Sequence, residues 1–103
     1  MVEMLVGLNV TDEARYAEYR RRITPLLESG GGSFGYDFRV SEVLIFQTPE
    51  PINRVFTIRF RSDEKKESFF SDAEYLAIKR EFFDGSVSST TVISSYRREP
   101  DST

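Results

Sequence analysis

The apolar pattern of this chain runs strand, helix, strand, strand, helix, strand, and that order leaves few folds open. The clearest strand is NRVFTIRFR at residues 53–61. Phe56, Ile58 and Phe60 point one way there, and Val55, Thr57, Arg59 and Arg61 point the other. Residues 2–10, VEMLVGLNV, alternate as well, with Met4, Val6, Leu8 and Val10 on one face and Leu5, Gly7 and Asn9 on the other. Both faces are largely apolar, so both should meet something. Residues 33–46, SFGYDFRVSEVLIF, have strand character throughout: Phe34, Tyr36, Phe38 and Val40 alternate against Gly35, Asp37 and Arg39, with a slip of register expected around Ser41 and Glu42. Pro49 and Pro51 make 47–52 a connecting loop, and the Thr- and Val-rich residues 87–97 read as the closing strand.

Helical periodicity fills the two gaps. Thr11-Asp12-Glu13 supplies a start, followed by Tyr16, Tyr19, Ile23, Leu26 and Leu27 on one stripe, with Arg15, Glu18, Arg20, Arg21 and Arg22 in the remaining positions. Pro25 should kink this helix near its end. Ser62-Asp63-Glu64 starts the second helical region. A capping box, Ser71-x-x-Glu74, predicts a short helix to about Phe70 and then a longer one ending near Gly85. Phe69, Phe70, Tyr75, Ile78 and Phe82 are its expected buried residues.

The expected fold is therefore α+β and ferredoxin-like: a βαββαβ unit in which a four-stranded antiparallel sheet carries two helices on one face. It forms a single domain over 1–97, followed by a frayed C-terminal tail at 98–103. The side of the sheet with Leu5, Val55 and Thr57 is left without a helix. An open apolar sheet face invites association, and a twofold homodimer through that face is the expected partnership.

The stretch SGGGSFG (29–35) spells G-x-G-x-x-G through Gly30, Gly32 and Gly35. A dinucleotide fingerprint follows a strand and opens a helix, whose first amides hold the pyrophosphate. Here the glycines follow a helix and open a strand, which is how a helix obtains a left-handed cap. They predict a helix stop, with no cofactor.

Composition removes other chemistries. The chain of 103 residues has neither Cys nor His. Disulfides, thiolate nucleophiles, Cys/His zinc sites and Ser-His-Asp triads are excluded, and no spaced acidic loop suggests a metal. A net charge of -3 without clustered Lys and Arg speaks against nucleic acid. The open sheet face beside Arg59 and Arg61 also lacks the aromatics of an RNA-recognition domain. No apolar run approaches the ~20 residues that cross a bilayer, and residues 1–5 do not resemble a signal peptide. No membrane partner and a cytoplasmic location are expected.

Few residues suggest a site. Arg59 and Arg61 share a strand face and can clamp a small anion bidentately, or can pair with acids such as Asp37 or Glu42. Arg39 can join either arrangement from the neighbouring strand. Tyr36 can place a hydroxyl in a cleft, and Asn9 can orient a carbonyl or cap the turn that follows it. Asn9, Tyr36, Arg39 and Arg59 are the candidate ligand-binding set.

ARYAEYRRRITPLLESGGGSFGYDF and VFTIRFRSDEKKESFFSDAEYLAIK, with the closing strand, resemble the uncharacterised family numbered 1330 among domains of unknown function. The matching features are paired tyrosines in the first helix, a proline before two leucines, a double glycine leading into the second strand, and S-D-A-E-Y in the later helix. The resemblance implies a dimeric α/β barrel, in which two open sheet faces pack together. It brings no settled activity. Related haem-degrading enzymes use an Asn, a Trp and a His; this chain offers Asn9 but has neither Trp nor His.

Three functions are left open. The first is a homodimer binding a small organic anion between sheet and helices. The second is a cofactor-independent monooxygenase or isomerase acting on a phenolic or enol substrate. The third is a structural or interaction module without ligand. A pocket of roughly 300 Å³ or more with convergent polar groups favours the first two. One filled by Phe and Tyr favours the third.

Overall fold

The computed structural model describes residues 1–99. Its order is β1 (Val2–Val10), α1 (Glu13–Ser29), β2 (Ser33–Arg39), β3 (Arg54–Phe60), α2 (Asp63–Ser71), α3 (Ala73–Ile78), a π turn (Lys79–Phe83) and β4 (Val87–Arg97). The four strands form one antiparallel sheet in the order β2-β3-β1-β4. This is the ferredoxin-like α+β arrangement expected from the sequence, with the second helical region divided.

Register fixes which side chains meet the helices. Met4 pairs with Ile58 and Val6 with Phe56, so these four share a face with Val2, Leu8 and Phe60. Tyr16, Tyr19, Ile23 and Leu27 of α1, with Phe69 of α2 and Tyr75 of α3, cover that face and are all buried. Their packing is mostly ring on ring: Tyr19 lies 4.9 Å from Phe83 and Phe69 lies 4.6 Å from Tyr75, centroid to centroid.

Caps mark each helix end. The Asp12 carboxylate accepts from the Arg15 amide at 3.1 Å, and the Ser62 hydroxyl accepts from the Lys65 amide at 3.1 Å. At the reset between α2 and α3 the cap is Asp72, which accepts from the Tyr75 amide at 3.0 Å. The Ser71 box expected there does not form. Its hydroxyl instead donates back to the Glu67 carbonyl at 2.7 Å, which makes Ser71 the last residue of α2. α1 runs on through Pro25 to Ser29.

The glycine run closes α1 as a Schellman turn. Gly32 donates its amide to the Leu27 carbonyl at 3.0 Å, Gly31 donates to Glu28 at 2.9 Å, and Gly31 alone has a positive φ, 83°. Gly32 then passes so near to β3 that a Cβ would lie 2.7 Å from the Arg59 carbonyl oxygen. Here the motif is a helix stop and a strand entry.

β2 differs from expectation. It ends at Arg39, and its slip falls between Phe34 and Asp37 rather than at Ser41. Thr57 is the cause: its hydroxyl accepts from the Tyr36 amide at 2.8 Å and fills the space where Gly35 would carry a side chain. A side-chain oxygen replaces a ladder partner and one extra residue is accommodated. Phe34 and Asp37 therefore sit opposite Ile58 and Phe56, on the helix-covered side, while Phe38 sits opposite Val55 on the open side.

Residues 40–46 are not strand but belong to a loop reaching Asn53. That loop returns across one end of the open face, where Ile52 occupies the space above Gly7. Asn53 clips it to β1 by accepting from the Val10 amide and donating to the Val10 carbonyl, both at 2.8 Å. Leu5 and Val55 are half-buried and Thr57 is buried, so this face is less bare than its alternation predicts. Beyond β4, the Arg98 amide donates to the Met1 carbonyl at 3.0 Å. The rest of the tail, 100–103, lies outside the described residues. Among the described residues no helix is long and apolar enough to cross a membrane.

Candidate functional site: the cavity between sheet and helices

A cavity of about 410 Å³ lies between the sheet and the helices. Its floor is Met4, Val6 and Leu8 of β1, Phe56 and Ile58 of β3, and Thr90 and Val92 of β4. Rings from the helical layer form its roof. β4 contributes the β-branched Thr90 and Val92 to this lining, and the π turn contributes Lys79 and Phe83. Asp84 donates its amide to the Lys79 carbonyl at 3.0 Å, the five-residue closure that defines a π turn. Arg15 holds this turn from α1 by donating through Nε to the Glu81 carbonyl at 3.0 Å.

The lining is mainly apolar with a few polar atoms. The hydroxyls of Tyr19 and Tyr75 meet at 3.1 Å, both on buried side chains. Burial raises the Tyr19 hydroxyl far above its ordinary pKa, and Tyr75 beside it adds to the effect. Burial also raises Tyr75, while its hydrogen bond with Tyr19 and the charge of Lys79 pull the other way. Both phenols are thus held protonated, as hydrogen-bond donors rather than bases.

Arg20 lies at the β2 side of the cavity with 14% of its side chain exposed. Its guanidinium sits 3.9 Å from the Phe34 ring centroid and 4.6 Å from that of Phe56. Nε donates to the Tyr16 hydroxyl at 2.7 Å, and Nη2 donates to Asp37 at 3.3 Å. Asp37 also accepts from Arg54, through Nε at 2.8 Å and Nη2 at 2.9 Å. Led by the Arg54 hydrogen bonds, this pairing holds the Asp37 carboxyl below the usual range, against the opposing effect of burial.

The four candidate residues lie elsewhere. Asn9 pairs with Ser89 near the end of β1, where its Nδ2 donates to the Ser88 hydroxyl at 2.7 Å. Arg59 stands opposite Glu3 and donates to it through Nε at 2.7 Å, about 20 Å along β1 from Asn9 at the rise of a strand. Its guanidinium lies beside Gly35 of β2. Tyr36 itself is 69% exposed and stacks on Phe38 at 5.4 Å. Arg39 is exposed at the sheet edge, opposite Arg54. The structure therefore does not gather the four: Asn9 and Arg59 lie toward opposite ends of β1, and Tyr36 and Arg39 lie on the edge strand β2. None of the four lines the cavity.

Arg59 is engaged in ion pairing, with Glu3 as its acid rather than Asp37 or Glu42. Glu3 is buried and also accepts from Arg98 Nη1 at 3.0 Å and from the Tyr96 hydroxyl. Burial pushes its carboxyl up, but the hydrogen bonds from Tyr96, Arg59 and Arg98 outweigh this and hold it below its ordinary value. Arg61 lies against Gly31 instead of beside Arg59 in a clamp.

Sequence reasoning placed Arg20 on the outer face and did not consider Lys79. Both are found by counting from the buried rings, since Arg20 is four residues after Tyr16 and Lys79 four after Tyr75. Among the described residues no cluster of three or more acidic side chains is placed to hold a metal ion.

Solved structures of similar shape have low sequence identity, and they show the fold alone. A protein of unknown function from Rhodopseudomonas palustris, RPA0582, is 19% identical with a TM-score of 0.77, over 97% of this chain and 83% of that one. At3g17210 from Arabidopsis thaliana is 16% identical with a TM-score of 0.64, over 100% of both chains. A dabb family protein with a ferredoxin-like fold from Mesorhizobium loti is 12% identical with a TM-score of 0.68, over 96% of this chain and 97% of that one. No functionally curated protein matches the chain. The model of the family described as Domain of unknown function (DUF1330) matches residues 4–96, and the chain belongs to that family.

Proposed function

We propose that this protein binds a small organic anion with an apolar body in the cavity between sheet and helices, as a cytoplasmic homodimer joined through the open sheet face. One observation carries the ligand reading. The cavity holds about 410 Å³ and combines ring-lined walls with a few hydroxyls and cations, the composition typical of small-molecule pockets. A module without ligand has less reason to hold such a space open.

Thermal shift with a panel of aromatic carboxylates and phenols tests this reading. A ligand at 100 times its Kd stabilises by about 2.7 kcal/mol, which raises Tm by several degrees. The rise should vanish in Val92→Phe, which places a ring in the cavity from β4. A flat Tm across the panel in the unaltered protein removes the binding reading.

The dimer rests on exposed apolar side chains along the open side. Tyr36 is 69% exposed, Phe38 52% and Ile93 48%. Light scattering at micromolar concentration should give twice the chain mass, and a stable monomer overturns the proposal. Cell fractionation tests the location.

The paired phenols of Tyr19 and Tyr75 favour a second, catalytic reading on a phenolic or enol substrate. Protonated donors inside an apolar cavity are suited to stabilising a developing oxyanion. Deuterium exchange beside the carbonyl of an enolisable aryl ketone, faster with the protein than with Tyr75→Phe, supports it. Equal rates remove it.

A further inference from the structure

Two cations border the cavity, and they differ in how firmly they are held. Arg20 lies between two rings, and its donors are directed to Tyr16 and Asp37. Moving it would break a hydrogen bond on a mostly buried group and disturb the Asp37–Arg54 pair. Lys79 is held differently. Its ammonium meets Asp84 at 2.9 Å, and the two side chains are 38% and 51% exposed. An ion pair so open to water is worth little, about 0–1 kcal/mol.

The π turn creates this weak pair. Lys79 and Asp84 are five residues apart. In an α-helix that spacing points the side chains to different faces, because neighbours lie three and four apart. The five-residue closure from the Asp84 amide to the Lys79 carbonyl stacks them instead. Lys79 thus lies on the cavity wall, with its ammonium 5.3 Å from the Phe83 centroid and an exposed carboxylate as its counter-ion. Its charge also reaches the Tyr75 hydroxyl inside.

We propose that Lys79 is the specificity-determining residue of the cavity: it exchanges Asp84 for the carboxylate of an incoming aromatic acid, whose ring enters among Tyr19, Phe83 and Val92. This rests on the ligand reading above and adds to it the charge that is selected and the group that selects it. The exchange requires no net loss of ion pairing, because one carboxylate replaces another. A neutral ligand of the same shape gains only the ring contacts.

The test compares naphthalene-2-carboxylate with the neutral naphthalene-2-methanol, by calorimetric titration of the full chain. The unaltered protein should prefer the carboxylate by about tenfold or more, the size of one charge-assisted hydrogen bond. Lys79→Met should bring the two ligands to within about twofold by losing carboxylate affinity alone, while Lys79→Arg keeps the preference. Asp84→Asn, which removes the competing counter-ion, should tighten the carboxylate by about threefold. Circular dichroism and Tm confirm that each variant is folded. If both ligands bind the unaltered protein equally, or Lys79→Met keeps the preference, the assignment to Lys79 is overturned while the cavity remains a binding site. If neither ligand binds at millimolar concentration, the ligand reading fails and this inference falls with it.

Discussion

The two faces of the sheet use the same alternating strands for opposite purposes. On the helix-covered face, Val6, Leu8, Phe56 and Ile58 meet a layer of rings, with a few hydroxyls and two cations bordering the cavity and the Asp37–Arg54 pair at its β2 edge. On the open face a buried carboxylate, Glu3, gathers Arg59, Arg98 and Tyr96 at one end, while Ile52 and Val55 sit at the other. Apolar burial therefore dominates the first face, with ion pairing confined to its β2 edge, and charge pairing secures part of the second. Leaving space on the first face is compatible with binding a ligand, because that layer has rings enough to enclose it.

The largest effect should come from the helix-covered face. Ile23 is 1% exposed, and Ile23→Ala should lower the unfolding free energy by about 2–5 kcal/mol in urea denaturation. A cost below about 1 kcal/mol would mean that the cavity, and not tight packing, already surrounds this side chain.

Next comes the charged end of the open face. Glu3→Gln should cost about 2 kcal/mol at pH 7, since hydrogen bonds to a charged, mostly buried partner are weakened. The sign with pH follows from linkage. Glu3 is held below its ordinary 4.5 in the folded protein, so the unfolded chain takes up the proton first as pH falls. The stability it contributes is present above that ordinary value and is lost as pH falls through the folded value. Denaturation curves between about pH 6 and pH 3 should therefore drop less steeply for Glu3→Gln. Parallel curves would show that the network contributes no differential stability.

Smaller still is Tyr19→Phe, at about 1 kcal/mol, because it leaves the Tyr75 hydroxyl without its partner while the ring packing stays. The smallest is Tyr36→Ser on the open face, within about 0.5 kcal/mol for the folded chain itself. Its effect should appear in sedimentation instead, as weaker self-association. A loss of several kcal/mol there would make Tyr36 part of the folded core rather than of an interface.

Most of the fold was legible because the strands alternate cleanly. Phe56, Ile58 and Phe60, and Met4, Val6 and Leu8, identify the covered face without any structure. The reset after α2 was legible as well, although its cap moved from Ser71 to Asp72. What could not be read were the effects of contacts distant in sequence. The slip in β2 depends on Thr57, twenty-one residues away from Tyr36. Residues 40–46 carry strand-like composition but lie in a loop whose end is tied to β1 through Ile52 and Asn53. The site was least legible. Arg59 and Arg61 share a strand face and Arg39 lies on the neighbouring strand, whereas the cations that border the cavity come from the helical layer, where a four-residue count is the relevant spacing.

Counted along the chain, the π turn amounts to one surplus residue in an otherwise α-helical run. Each residue of an α-helix advances the chain by about 100°, so deleting one position between Lys79 and Phe83 would restore ordinary winding, with Asp84 then four residues after Lys79 and still on its face. The Glu81 carbonyl, which accepts from Arg15, lies within the stretch that would be rewound. The shape of the cavity is thus coupled to a residue count as well as to residue identity. A chain that matched this one everywhere except for that single gap would enclose a different space.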